Sequence, residues 1–353
     1  MIQTIEKSIF TKWFPMDLQL FAELNTNTTN SASSGNNLSA ENKTFYDKEL
    51  IRTASAKLVH DQFGQKRPIP QNGGKTIEFR KFSPLPKATT ALTEGVTPNG
   101  NKLDVSAITA TVSQYGDYIV QSDVLELTAI DNTIVEATRL LGQQAGSTLD
   151  TIVRNILIAG TNVTYCPKVA DGTETAVTTR AGLDATAQLT IDVVQQVVAK
   201  LRAANAPTFE GGDYVAIIHP YVAYDLMRDP EWIDAHKYAQ PDNIYKGEIG
   251  KISGVRFVQT TEAKIFKGDG CPSGLAVFCT LFLGSGAYGV TEITGGGLQT
   301  IIKQKGSAGT SDPLDQRSSI GWKAMKTAER LVEPYMVRVE SCSGRFSANA
   351  VAN

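Results

Sequence analysis

Between residues 131 and 159 the chain carries one uninterrupted helical pattern, and no other stretch limits the fold as much. Ile134, Thr138, Leu141, Ala145, Leu149, Ile152 and Ile156 advance in steps of three and four. That spacing lines one face of an α-helix with side chains meant for burial. Asp131 or Thr133 can cap its start, and Gly160 follows its end. At about 1.5 Å per residue the helix spans about 40 Å, long enough to act as a strut across a whole subunit. Gly142 and Gly146 lie inside it, and each costs about 1 kcal/mol relative to Ala. Two such costs in one helix predict that another backbone passes close by.

Upstream the pattern has period two. KTIEFRKF (75–82) alternates Ile77 and Phe79 with Glu78 and Arg80, and AITATVSQYGDYIVQ (107–121) alternates through Ile108, Ala110 and Val112. Both read as strands. The stretch between them, 83–104, holds Pro84, Pro86, Gly95, Pro98 and Gly100. Irregular loops longer than about 12–15 residues are uncommon inside domains and tend to be functional. Residues 75–121 are therefore expected to form a long hairpin reaching away from its own domain. Arg80, Lys81, Lys87 and Glu94 bring both signs of charge to its base and tip. They are the candidate contacts with a neighbouring subunit.

Residues 22–44 are rich in Asn, Thr and Ser and cannot bury enough apolar surface to fix a compact fold. A mobile arm is expected over 1–44, and Met16 opens MDLQLFA as an alternative start. A helix is predicted near 43–63 from Phe45, Leu50, Ala54, Leu58 and Val59, with Gly64 as its stop. Beyond residue 190 the chain reads as an α/β unit. Thr190 caps a helix with Ile191, Val194, Val197, Val198 and Leu201 on one face; YVAIIH (214–219) is a buried strand, and Pro220 opens a second helix. Strands are expected at 255–259, 275–283 and 298–305. RLVEPYMVRVES (330–341) reads as one strand, placed at an edge or bent by Pro334.

Thirty-four basic residues against thirty-six acidic ones give a net charge of −2, and no Lys/Arg run marks a dedicated nucleic-acid binder. No apolar run reaches the roughly 18–20 residues a spanning helix needs. Glu6, Lys7, Lys12 and Asp17 interrupt the N-terminal apolar residues, so no secretory leader and no membrane partner are expected. Cys166, Cys271, Cys279 and Cys342 are scattered and read as reduced thiols. GSGAYG sets Gly284, Gly286 and Gly289 in dinucleotide-site spacing, but Val290–Ile293 after it favour strand. A glycine-rich strand turn is expected there. Asp225, Asp229, Glu231, Asp234 and His236, with His219, lack metal-ligand spacing and read as a solvated helix end and loop. No nucleophile motif is present, and neither catalysis nor a cofactor is expected.

Three long runs then carry a resemblance: GKTIEFRKFSPLPKATTALTEGVTP, QYGDYIVQSDVLELTAID and EATRLLGQQAGSTLDTIVRNILIAGTNVTY. With DPLDQRSSIGWKAMKTAERLVEPYMVRVESC near the C-terminus, they resemble the major capsid proteins of tailed phages, of the N-four type. The resemblance covers most of residues 45–345 and implies an α+β Hong Kong 97-type capsid fold. Its implied parts are a flexible N-terminal arm (1–44), an N-terminal helix and lead-in (45–74) and an extended hairpin loop (75–121). A peripheral domain with a long spine helix (122–189), an axial domain (190–328) and a return to the peripheral domain with a C-terminal tail (329–353) complete them. It implies self-assembly into hexamers and pentamers of an icosahedral shell, built in the host bacterial cytoplasm. Scaffolding, portal and decoration proteins are the implied partners, and packaged double-stranded DNA is touched weakly and without specificity. The rival readings are another virion subunit, such as a tail tube or portal, and a cytosolic α/β enzyme.

Overall fold

The computed structural model describes residues 48–54, 58–82, 85–97, 99–128, 133–233, 250–307 and 311–353. The chain divides into two units after Lys48, and the fold is that of the second, Glu49–Asn353. The expected arm, Met16, Phe45, Asp131, Asp234 and His236 lie outside the described residues.

The strut helix is present as Thr133–Ile158. Its buried face is not the single stripe that the spacing predicted. Ala137, Leu141, Ala145 and Leu149 pack with Ile320, Trp322 and Ala324. Further along, Val153 and Leu157 pack with Val215, Ile217, Leu281 and Leu283, while Ile152 and Ile156 are only half-buried. Ala145 and Leu157 are twelve residues apart, so at 3.6 residues per turn the buried direction swings by about 120°. The helix turns because its second half reaches a second sheet, in a cluster that also holds Tyr288, Val290 and Ala328 of the first. A close backbone approach also holds for Gly142, whose missing Cβ would sit 3.0 Å from the Leu50 carbonyl oxygen and 3.3 Å from its Cα.

The first sheet is organised by a 14-residue strand, Arg317–Arg330. Ser113–Ser122 runs antiparallel along one edge, from Arg317↔Ser122 to Lys326↔Ser113. Tyr288–Glu292 and Gln299–Lys303 lie end to end along the other. Gln65–Lys66 adds a parallel strand outside Tyr288–Glu292. The periodicity reading missed this longest strand because a lysine sits on its buried side: Lys326 is 6% exposed and 2.8 Å from Asp61. Trp322 Nε1 donates to Gln144 (3.2 Å), and Gln144 donates to Asp117 (2.6 Å), tying helix to sheet.

The second sheet has seven strands. Val163–Tyr165, Met336–Ser341, Val277–Leu283, Tyr214–Ile218, Val255–Gln259 and Lys251–Ile252 follow in order, and Ile265–Phe266 also pairs with Val277–Leu283. Every residue of Tyr214–Ile218 and Val277–Leu283 is buried, as in strands covered on both faces. Tyr214, Ala216 and Ile218 face helix Ile191–Ala203 and its apolar cluster. Val215 and Ile217 face the end of the long helix. Thr190 caps Ile191–Ala203, accepting from Val193 N, and Pro220 stands at the start of Pro220–Met227, both as the sequence predicts.

Two expectations are corrected. Residues 330–341 are not one edge or bent strand. The long strand ends at Arg330, a 3-10 turn covers Glu333–Tyr335, and Met336–Ser341 enters the interior of the seven-stranded sheet. Pro334 sits in that turn, where its missing N–H costs nothing, and lets the chain change sheets. The helix expected to run to residue 63 is helical over 48–54, but 58–63 is not. There Asp150, fully buried in the long helix, accepts from Val59 N (2.8 Å) and His60 N (2.7 Å), so a neighbouring carboxylate takes donors that a helix would use itself. His60 Nδ1 lies 2.7 Å from the same carboxylate, and Tyr288 Oη donates to the His60 carbonyl. Gly64 does not end a helix; a Cβ there would lie 2.6 Å from the Tyr288 ring.

Removing the carboxylate in Asp150→Ala orphans these buried donors and is expected to cost about 3 kcal/mol or more. Urea unfolding of the dissociated subunit measures the loss, and amide exchange should quicken first across 58–63.

Candidate intersubunit surface

The hairpin forms as its alternation dictates. Thr76–Phe82 pairs antiparallel with Val105–Thr111, from Thr76↔Thr111 to Phe82↔Val105. Phe79, Ala110 and Val112 are buried, and Ile77 and Ile108 are half-buried. Phe79 rests where Gly289 leaves room, since a Cβ on Gly289 would stand 2.6 Å from its ring. The strand expected over 107–121 divides at Val112, with Ser113–Ser122 passing into the five-stranded sheet.

Past Phe82 the loop leaves the body. Every described residue from Leu85 to Asp104 is exposed. Thr93–Val96 closes a turn at the tip, Val96 N donating to Thr93 O at 3.2 Å, with Gly95 at φ 77°. A type II turn requires that positive φ, which glycine adopts without strain. Lys87 and Glu94 are exposed on the loop, Arg80 is exposed and Lys81 half-buried at its base. Arg80 lies 3.5 Å from Glu78 on its own strand. The structure therefore keeps the four candidates on one element but separates base from tip.

Charge was the smaller part of this surface. Leu85, Leu92, Val96 and Leu103 are each more than half exposed, as is Phe82. A second apolar group, Tyr118 and Val120 in the Ser113–Ser122 strand with Val124, Leu127 and Leu314 outside it, is likewise at least half exposed. Scattered exposed apolar residues are ordinary; this many on one loop and one sheet end make them the candidate contact surfaces. Periodicity could not find the loop residues, because a loop has no repeating face.

The phage capsid protein family model matches residues 29–305. The chain belongs to that family. No curated protein matches the capsid protein by sequence. Its structure resembles the capsid of cyanophage P-SCSP1u, with TM-score 0.62 and 14% identity over 81% of this chain and 88% of that one. The capsid of Ralstonia phage GP4 matches with TM-score 0.61 and 16% identity over 82% and 90%. The capsid of cyanophage Pam1 matches with 0.58 and 14% over 82% and 92%. Identities this low carry the fold alone, and that fold is the α+β Hong Kong 97-type capsid fold.

The other motifs of the capsid protein resolve into structural parts. Gly284–Gly286 forms the turn from Val277–Leu283 into strand Tyr288–Glu292, so no helix begins there to hold a phosphate. The segment expected to be solvated is instead buried at His219 and Asp225, 6% and 9% exposed. Helix Pro220–Met227 packs Val222, Ala223 and Leu226 into the core and carries both polar groups inward. His219 Nδ1 accepts from Tyr221 N (3.2 Å), and Asp229 accepts from Ile191 N (2.9 Å). No described group of three or more His, Cys, Asp or Glu is placed to hold a metal. Cys166, Cys279 and Cys342 are buried free thiols, with burial pushing Cys279 up to about 12 and Cys342 to about 11.

Gly289→Ala should push Phe79 off its seat at a cost of about 1–3 kcal/mol. Amide exchange should then quicken in Thr76–Phe82 and Val105–Thr111 before the seven-stranded sheet responds. Burial lowers His219 to about 4, below the ordinary value of about 6.5. A depressed folded value stabilises above the unfolded one and is lost as pH falls through the window between them. His219→Asn keeps a cap acceptor without titrating, so its urea midpoint should fall less than the parent's between about pH 6.5 and pH 4.

Proposed function

We propose that this capsid protein is the major shell subunit, assembling through hexameric and pentameric rings into an icosahedral shell around phage double-stranded DNA, with the hairpin as its principal clasp. The observation that carries this reading is the loop from Leu85 to Asp104, whose described residues are all exposed yet include the large apolar Leu85, Leu92, Val96 and Leu103. A subunit closing rings through heterologous contacts needs such an element, because the surface it offers differs from the surface it receives. The five-stranded sheet with the long helix serves as the peripheral part, and the seven-stranded sheet with its two helices as most of the axial part. This moves Tyr288–Glu292, Gln299–Lys303 and Arg317–Arg330 out of the axial span 190–328 expected from the sequence, and Met336–Ser341 out of the peripheral return 329–353. Arg80, Lys81, Lys87 and Glu94 act at the contacts. Assembly takes place in the host cytoplasm, with scaffolding, portal and decoration proteins as further partners. A net charge of −2 suits a shell that holds DNA weakly and without sequence preference. Among the described residues no helix is long and apolar enough to cross a membrane, and the family and fold are those of a structural protein.

Replacing residues 83–104 by an Asn-Gly turn, which can close the flanking strands, should leave the subunit folded and melting close to the parent temperature. Electron microscopy should show loose capsomers or none. Shells of normal size and stability from the shortened chain would remove the hairpin from the clasp role.

A further inference from the structure

The base and the tip of the hairpin are complementary in chemistry but do not meet within one chain. Beside Phe79 opens a cavity of about 140 Å³, walled by Arg67, Arg80 and Lys81 and by the apolar Phe79, Leu331 and Val332. Arg67 lies 6.0 Å from the centre of the Phe79 ring. Arg80 lies 3.5 Å from Glu78, whereas Arg67 and Lys81 have no ion-pair partner among the described residues. At about 30 Å³ per water, the cavity holds the volume of four or five waters, room for one carboxylate-bearing side chain.

The tip carries the opposite set. Glu94 is the sole acid between Leu85 and Thr97 and stands in the turn Thr93–Val96. Leu92 and Val96 flank it and are 77% and 63% exposed. Glu94 has no ion-pair partner among the described residues, and the exposure of the loop shows that it is not folded onto its own body.

We propose that the tip of one subunit seats in this basic pocket at the hairpin base of a neighbouring copy, with Glu94 as the anion and Leu92 and Val96 against the apolar wall. The proposal rests on the reading of the hairpin as the intersubunit clasp. Because tip and pocket are different surfaces of one chain, each copy gives a tip to one neighbour and takes one from the next. Contacts of that kind close into rings.

The test is covalent capture in shells assembled from the full chain. A disulfide requires Cα atoms within about 7 Å, so Glu94→Cys combined with Lys81→Cys reports whether tip and pocket meet. Mild oxidation should yield a ladder of oligomers at multiples of the subunit mass on a non-reducing gel, absent from either single variant. Glu94→Cys with Arg67→Cys provides a second pair that spares the half-buried Lys81. A cross-linked monomer of altered mobility would mean that the tip reaches its own base, and would overturn the proposal. Shells without a bond in either pair would overturn it too, while leaving the clasp reading standing. Failure of the parent chain to form shells even with its phage partners would instead sink the clasp reading. Loss of packaged DNA in Arg67→Glu particles, with neither pair cross-linking, would assign the pocket to nucleic-acid phosphate and likewise overturn the contact.

Discussion

Leu141 buries against one sheet and Val153, on the same helix, where that sheet meets the second, and the fold is arranged around that change of face. The first half of Thr133–Ile158 lies on Ile320, Trp322 and Ala324, and the second on Val215, Ile217 and Leu281. A helix keeps its rise and twist over tens of ångströms, so the orientation of one sheet is carried to the other without a flexible joint. Burying each Leu or Val contributes about 1.5–3 kcal/mol, which makes the rod costly to detach from either side. The polar groups follow the same axis. Asp150, in the second half of the helix, collects Val59, His60 and their turn, and Lys326 of the long strand reaches Asp61 beside them.

The chain crosses between the sheets at Pro334, and buried charge fixes where it lands. Glu340 is fully buried in strand Met336–Ser341 and is gripped by Arg180 through two hydrogen bonds of 2.6 and 2.7 Å. Arg338 Nε lies 3.0 Å from the same carboxylate. A bidentate guanidinium has the planar fork that a carboxylate needs. An isolated buried carboxylate would be costly, so any other register of this strand leaves Glu340 without its partners. These buried charges act in the architecture, fixing the strand in its sheet.

Against this rigid body the hairpin loop has a different physics. Its flanking strands are tied down by Phe79 against Gly289, while every described residue from Leu85 to Asp104 is exposed. In the proposed clasp, association is the step in which Leu85, Leu92, Val96 and Leu103 leave water. Part of that gain offsets the ordering of the loop, so each contact is modest and the closed shell draws its strength from repetition. Subunits joined this way can accept the slightly different curvature of five-fold and six-fold rings.

Much of the element structure was legible in the residues. The helices at 133–158, 191–203 and 220–227 and the buried strand at 214–218 follow from apolar spacing and caps, because those signals act within a few residues. The hairpin was readable for the same reason, from period-two strands around a proline- and glycine-rich stretch. The exposed tip residues were not, since an irregular loop shows no face until the body it avoids is known. Nor could local sequence reveal strand Arg317–Arg330, whose buried Lys326 looks like a surface residue until Asp61 stands opposite it. The end of the first helix was lost in the same way: Val59 and His60 leave the helix for a carboxylate about ninety positions away. What the sequence by itself determined was which segments are helix, strand or loop, and the family they spell. Only the tertiary structure decided which sheet each segment joins and which polar groups are buried, because those choices depend on partners that come close only when the chain has folded.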